Sequence, residues 1–205
     1  RGLKMAEYKD LPVTQGETFA FVIQWETEEK VYVPISTLSQ TAPLHIATLT
    51  AHGLPDGWKA AVTNAKGLTE VNAEANAVKD KDRHPCTLIS PTEVSMNSVN
   101  AAGFKAHTAG TGILEYYAPQ DLTGYTARLA IKDKVGCSVH DTATTETSGI
   151  TIDNVKKTIT LNISALDTAA LVWKSGVYDL ELVSLTGVVT KLYTGKVTVS
   201  KEVTT

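Results

Sequence analysis

Along several short stretches of this chain, large apolar side chains alternate with polar ones. In Thr18-Phe19-Ala20-Phe21-Val22-Ile23-Gln24-Trp25 the largest apolar groups fall on odd positions. That is the period of a strand buried on one face, so Phe19, Phe21, Ile23 and Trp25 are expected to meet a core. The same rhythm returns in Thr158-Ile159-Thr160-Leu161-Asn162-Ile163, in Tyr178-Asp179-Leu180-Glu181-Leu182 and in Lys196-Val197-Thr198-Val199-Ser200. Turn-forming pairs separate these runs: Gln15-Gly16, Ser148-Gly149, Asp153-Asn154, Ser175-Gly176 and Thr186-Gly187. Strands of this length and spacing predict a sandwich or a barrel. One short helix is expected, where Ser164 offers an N-cap hydroxyl, Asp167 stands three residues on, and Thr168-Ala169-Ala170-Leu171 continues. Gly176-Val177-Tyr178 after it resembles the opening of a strand with a tyrosine corner.

The middle of the chain breaks this rhythm. From His45 to about Leu114 come clustered alanines and asparagines, as in Asn72-Ala73-Glu74-Ala75-Asn76-Ala77, and the charge run Lys79, Asp80, Lys81, Asp82, Arg83. Two polar, proline-bearing joints bracket the stretch, Ser39-Gln40-Thr41-Ala42-Pro43 and Ala118-Pro119-Gln120. They predict an insertion. Residues 5–40 and 118–205 would form a discontinuous β-sandwich, with Val31-Tyr32-Val33-Pro34-Ile35 resuming at Asp121. Residues 41–117 would form the inserted domain. Residues 1–4, ahead of Met5, look like a remnant preceding the natural start.

Composition sharpens the picture. The chain has 29 Thr and 20 Val among 205 residues, and β-branched side chains pack better on a pleated sheet than on a helix. The fold class expected is therefore all-β. A net charge of −3 offers no electrostatic footprint for nucleic acid, so no such partner is expected. No apolar run approaches the roughly 20 residues of a membrane helix, and no membrane insertion is expected. Two cysteines, Cys86 and Cys137, are too few for a disulfide framework and fit a protein made in a reducing compartment.

Chemical motifs are weak. His84-x-Cys86 and Cys137-x-x-His140 lack the usual zinc-ligand spacing and fall in different proposed domains. Glu26, Glu28 and Glu29 crowd an expected hairpin tip, and Asp80 and Asp82 alternate with lysines, a pattern of solvated loops. Nucleophile-elbow, zincin, phosphate-loop and dinucleotide signatures do not occur. The expectation is no enzyme, no cofactor and no metal. Trp25, Trp58, Trp173 and Tyr116-Tyr117 offer aromatic faces that could stack on sugar rings, and each also suits a core.

Asp121-Leu122-Thr123-Gly124-Tyr125 through Lys132, with Ile159-Thr160-Leu161, Gly176 through Leu182 and Gly187-Val188-Val189-Thr190, resembles an immunoglobulin-like module of tailed-phage virion proteins. Upper-baseplate proteins carry a similar module. With Gln15 through Phe19 as its opening, the match covers most of residues 8–35 and 121–203. The inserted part is similar to a second phage-tail module: Thr50 through Trp58, Val62 through Leu68, Asn72, Val94 through Asn100 and Ala109-Gly110-Thr111-Gly112 follow its order. Its shape is the small β-barrel of the first catalytic cysteine half-domain of ubiquitin-activating enzymes, without their chemistry. His84-Pro85-Cys86 and Gly136-Cys137 depart from these patterns. The resemblance implies a virion protein of the tail, made in the bacterial host cytoplasm. It would join tail or baseplate to fibres through protein interfaces, as a homo-oligomer in place. A receptor- or glycan-binding fibre module and a capsid decoration protein are the alternatives. Lys79, Asp80, Lys81, Asp82 and Arg83 are the expected interaction loop.

Overall fold

The computed structural model describes residues 6–74 and 78–201; the proposed remnant 1–4 and the centre of the alanine-asparagine cluster lie outside them. The fold is all-β. The chain divides into two compact units, one of residues 24–120 and one made of the flanking residues up to Ile23 and from Asp121 onward.

The flanking unit opens with β1 (Glu7–Tyr8), β2 (Leu11–Thr14) and β3 (Phe19–Gln24). The chain then builds the other unit from β4 (Glu26–Leu38), β5 (Leu44–Thr48), β6 (Lys59–Thr63), β7 (His84–Ser90), β8 (Glu93–Met96) and β9 (Ile113–Pro119). These six close into a barrel in the order β4-β5-β8-β7-β6-β9. Its interior is filled by Ile35, Leu44, Ile46, Trp58, Met96 and Leu114, all fully buried. Trp58 satisfies its indole N–H by donating to the Tyr117 carbonyl at 2.8 Å, as a buried indole requires.

Two histidines lock loops of this unit. The Leu54 amide donates to His52 Nδ1 at 2.9 Å, which leaves Nε2 to donate to the Ser90 carbonyl at 3.0 Å. Likewise the Leu38 amide donates to His107 Nδ1 at 3.1 Å. Asn72 clamps Ala65 from both sides, accepting from its amide and donating to its carbonyl.

Returning to the flanking unit, the chain forms β10 (Thr126–Lys132), β11 (Val139–Thr144), β12 (Ile150–Asp153), β13 (Thr158–Ile163), the helix α1 (Ala165–Ala169), β14 (Ser175–Val183) and β15 (Val189–Ser200). One sheet runs β11-β10-β14-β15, with β1 and β2 both parallel to β15; the other runs β12-β13-β3. Leu129, Ile131, Leu180 and Leu182 from the first sheet are buried with Ile23, Ile159 and Leu161 of the second. This strand order is that of an immunoglobulin-like sandwich, and the barrel occupies the connection between β3 and β10. The helix is capped as expected, Ser164 Oγ accepting from the Asp167 amide at 3.1 Å.

Several expectations need correction. The boundary between the units falls at residues 24 and 120, not at 41 and 117, because Val31 through Ile35 belong to β4. There Val33 pairs with Leu114, and Ile35 is buried in the barrel core. Ile35 therefore does not lead into Asp121. The true crossing is marked by the Gln120 amide donating to the Trp25 carbonyl at 2.9 Å. Glu26, Glu28 and Glu29 lie along the 13-residue β4 rather than at a hairpin tip. Ser175-Gly176 is no turn: it lies inside β14, where a Cβ on Gly176 would stand 2.8 Å from Ile131 Cγ2. Glycine is there for close packing of neighbouring strands. Tyr178 is buried and its hydroxyl donates to the Lys9 carbonyl at 2.8 Å. It ties down the N-terminal segment instead of forming a local tyrosine corner.

Candidate functional site

The charge run expected to form an interaction loop splits in two. Asp80–Asp82 make a single 3₁₀ turn, closed by the Lys79 amide donating to Asp82 Oδ2 at 3.0 Å. Lys79 and Lys81 both reach Glu74, at 3.1 and 3.3 Å. Those two hydrogen bonds hold the Glu74 carboxyl below the usual glutamate range. Lys79, Lys81 and Asp80 are exposed, as a docking loop requires. Their charges are nonetheless largely matched within the segment.

Arg83 departs from the expectation. Its side chain is 1% exposed, so it is no part of a solvated loop tip. The guanidinium carbon lies 4.1 Å from the centre of the Tyr117 ring, and Nη2 is 3.6 Å from Glu115 Oε1. Lys30 Nζ approaches the same Glu115 oxygen at 2.8 Å and lies 5.8 Å from the Tyr117 ring centre. The hydrogen bond to Glu115 raises the Lys30 pKa above the ordinary lysine value. Strand alternation explains the assembly: β9 turns Leu114 and Tyr116 into the barrel core and sends Glu115 and Tyr117 to the opposite side. Two cations thus share one carboxylate and one aromatic ring. Among the described residues neither terminal nitrogen of Arg83 has a hydrogen-bond partner. The π-face and the ion pair therefore carry the stabilisation of a charge that is costly to bury. A signal for this cluster was present in the sequence, since Ile113-Leu114-Glu115-Tyr116-Tyr117 places a lone carboxylate in an apolar strand, where it needs a cation.

The sandwich unit holds a cleft of about 460 Å³. Leu129, Ile131 and Leu161 line its apolar part, with Asp141, Asn162 and Asp167 also on its wall. His140 and Trp173 stack beside it with ring centres 5.2 Å apart and planes 7° from parallel. Both carboxylates already accept hydrogen bonds, Asp141 from the Thr142 amide at 2.8 Å and Asp167 from Ser164 Oγ at 2.6 Å. A second cleft of about 430 Å³ lies over β10, β11 and β14. Around it run the ion pairs Arg128–Glu181, at 2.8 Å, and Lys191–Asp179, at 2.7 Å.

The aromatic residues considered as a sugar platform are placed differently from one another. Trp58 and Tyr116 are sealed in the barrel core, Tyr117 is covered by Arg83, and Trp173 belongs to the other unit. Cys86 is buried, and desolvation pushes its thiol up to about 12. Cys137 is exposed. His84 and Cys86 stand in the barrel unit, whereas Cys137 and His140 stand in the sandwich. Among the described residues no group of three or more His, Cys, Asp or Glu side chains is placed to hold a metal ion.

Compared with known proteins, the chain matches no family model and no curated sequence.

Proposed function

We propose that this chain is a structural adaptor of a tailed-phage virion, joining a tail or baseplate component to a fibre through protein–protein interfaces. One observation carries the reading. An immunoglobulin-like sandwich bears a complete closed barrel within a single connection between two of its strands. Each unit has its own core, so each presents exposed surface that is free to serve a separate partner. Both sequence stretches resemble phage-tail modules, which supports the tail as the location. A net charge of −3 lets copies approach one another without strong repulsion, which suits a repeated, homo-oligomeric position. The exposed segment Lys79 to Lys81 is a contact surface on the barrel in this reading. The function assigned is assembly and requires no catalysis, cofactor or nucleic acid.

The experiment is to label purified virions with antibody raised against residues 24–120 and image them. Signal at the tail tip, baseplate or fibre base is expected. Signal on the capsid shell would make the chain a decoration protein, and no signal on the particle would overturn the virion assignment.

The cleft beside Trp173 and His140 favours a second reading, a glycan-binding fibre module, because an aromatic wall next to polar groups suits a pyranose ring. A glycan array separates the two: selective binding abolished by Trp173→Ala would favour the receptor-binding role.

A further inference from the structure

The cleft beside Trp173 opens onto the core of the sandwich. Leu129 and Ile131 of β10 and Leu161 of β13 line it, and each is almost wholly buried. Its volume of about 460 Å³ lies in the range of small-molecule sites. Trp173, in the connection between α1 and β14, is half-buried and gives the cleft an aromatic wall. His140 lies flat against that ring at 5.2 Å, with the planes 7° apart. The indole is thereby held in one orientation before any ligand arrives, which lowers the ordering cost of binding. Exposed Ser148 and Asn162 add a hydroxyl and an amide to the lining.

The charge of this cleft is one-sided. Asp141 and Asp167 line it, no lysine or arginine does, and His140 is the one other ionisable side chain of the lining. Among the described residues neither carboxylate forms an ion pair. Asp141 also breaks the alternation of its strand. In the register it stands opposite Ile131, and Ala143, two residues on, stands opposite Leu129. Facing residues share one side of a sheet, and the other three are buried apolar side chains. An aspartate on such a face ordinarily comes with a partner. Asp141 Oδ1 accepts from the Thr142 amide and Asp167 Oδ2 from the Ser164 hydroxyl. The second oxygen of each carboxylate has no partner among the described residues.

We infer that the ligand of this cleft is a sugar carrying a free amine, its ring against Trp173 and its ammonium paired with the cleft carboxylates. The inference rests on the glycan reading of the cleft and is independent of the tail assignment. The apolar face of a pyranose ring suits the indole wall. The ammonium is the cation that Asp141 and Asp167 lack, and the indole adds to its attraction. An N-acetylated ring has lost that charge and a neutral hexose never had it, so both leave the two acids uncompensated. A lysine side chain brings the charge on a single stem, with no ring to meet Trp173 and little bulk for a cleft of this volume.

The test titrates the full chain, isotope-labelled, with glucosamine, N-acetylglucosamine, glucose and lysine amide, and follows the amide resonances. Glucosamine is expected to bind roughly tenfold tighter than either other sugar, which is what a hydrogen bond to a charged group contributes. Its shifts should centre on Asp141, Asn162 and Trp173. In the double variant Asp141→Asn/Asp167→Asn that preference should vanish while glucose binds as it does to the wild type, with the thermal midpoint checking that the sandwich is folded. Equal affinity for the three sugars would overturn the inference and leave the glycan reading standing, and so would a preference that survives in the double variant. Binding of lysine amide without any sugar, or of none of these probes, would overturn both.

Discussion

Arg83 lays its guanidinium over the ring of Tyr117, 4.1 Å from the ring centre, and is shut away from solvent there. Arg83 is also paired with Glu115, whose single carboxylate faces both Arg83 and Lys30. The consequences for stability are asymmetric. Glu115→Gln removes the lone anion and leaves two cations facing each other, one of them wholly buried. It is expected to cost about 3–5 kcal/mol, the usual penalty for breaking a buried pair from one side. Arg83→Met keeps the bulk over Tyr117 and leaves Glu115 paired with Lys30. It is expected to change stability by no more than about 1.5 kcal/mol. Urea unfolding of the two variants measures the difference, and equal losses would contradict the ion-pair account.

Gly195 is expected to be irreplaceable. A Cβ there would lie 2.1 Å from the Lys9 carbonyl oxygen, the same oxygen that accepts from the Tyr178 hydroxyl. Gly195→Ala must push the N-terminal segment off β15 and strip the buried Tyr178 hydroxyl of its partner. Overpacking and a lost buried hydrogen bond together predict a loss of about 2–4 kcal/mol. Amide exchange of β1 and β2 should accelerate well before the rest of the sandwich is affected.

The two cysteines should differ sharply towards thiol reagents. Burial pushes the Cys86 thiol up to about 12, and the thiolate is the reactive form. Titration of the native protein with a chromogenic disulfide near neutral pH is expected to give one equivalent, from exposed Cys137. The second should follow only on unfolding. A fast second equivalent from native protein would show that the barrel core opens readily.

Acid sensitivity is expected from Asp121. Hydrogen bonds from the Thr123 hydroxyl and amide, then from the Asn154 side chain, hold its carboxyl down to about 2. A carboxylate depressed on folding adds stability above its unfolded value and loses it as pH falls. The window therefore runs from about 4, the ordinary aspartate value, down to about 2. Asp121→Asn should be less stable than wild type at pH 6 and should decline less steeply through that window. Parallel urea midpoints at stepped pH would reveal parallel curves if the group contributes nothing.

Excising residues 24–120 and bridging Ile23 to Asp121 with a short Gly-Ser linker should leave a folded sandwich. The chain leaves and rejoins at neighbouring points, since the Gln120 amide bonds the Trp25 carbonyl, and closing such a gap costs little loop entropy. The excised piece should fold by itself around Trp58. Dispersed amide spectra of both pieces would confirm the division, and an unfolded sandwich would refute it.

Local pattern alone determined the β class, the strands β3, β13, β14 and β15, and the capped turn at Ser164. Each is written in neighbouring residues, through a two-residue alternation or an N-cap three residues ahead of its carboxylate. The choice of partner strand was not local. Val31 through Ile35 alternate equally well for a sandwich or a barrel, and only the pairing of Val33 with Leu114 assigns them to the barrel. Arg83 reads as one more charge in a solvated run until Glu115 and Tyr117, distant along the chain, are brought beside it. Nor could the sequence reveal that β1 and β2 pair with β15. Which groups a side chain finds across a sheet depends on closure of the whole fold, and a single stretch of chain carries the period of its own strand but not the identity of its neighbours.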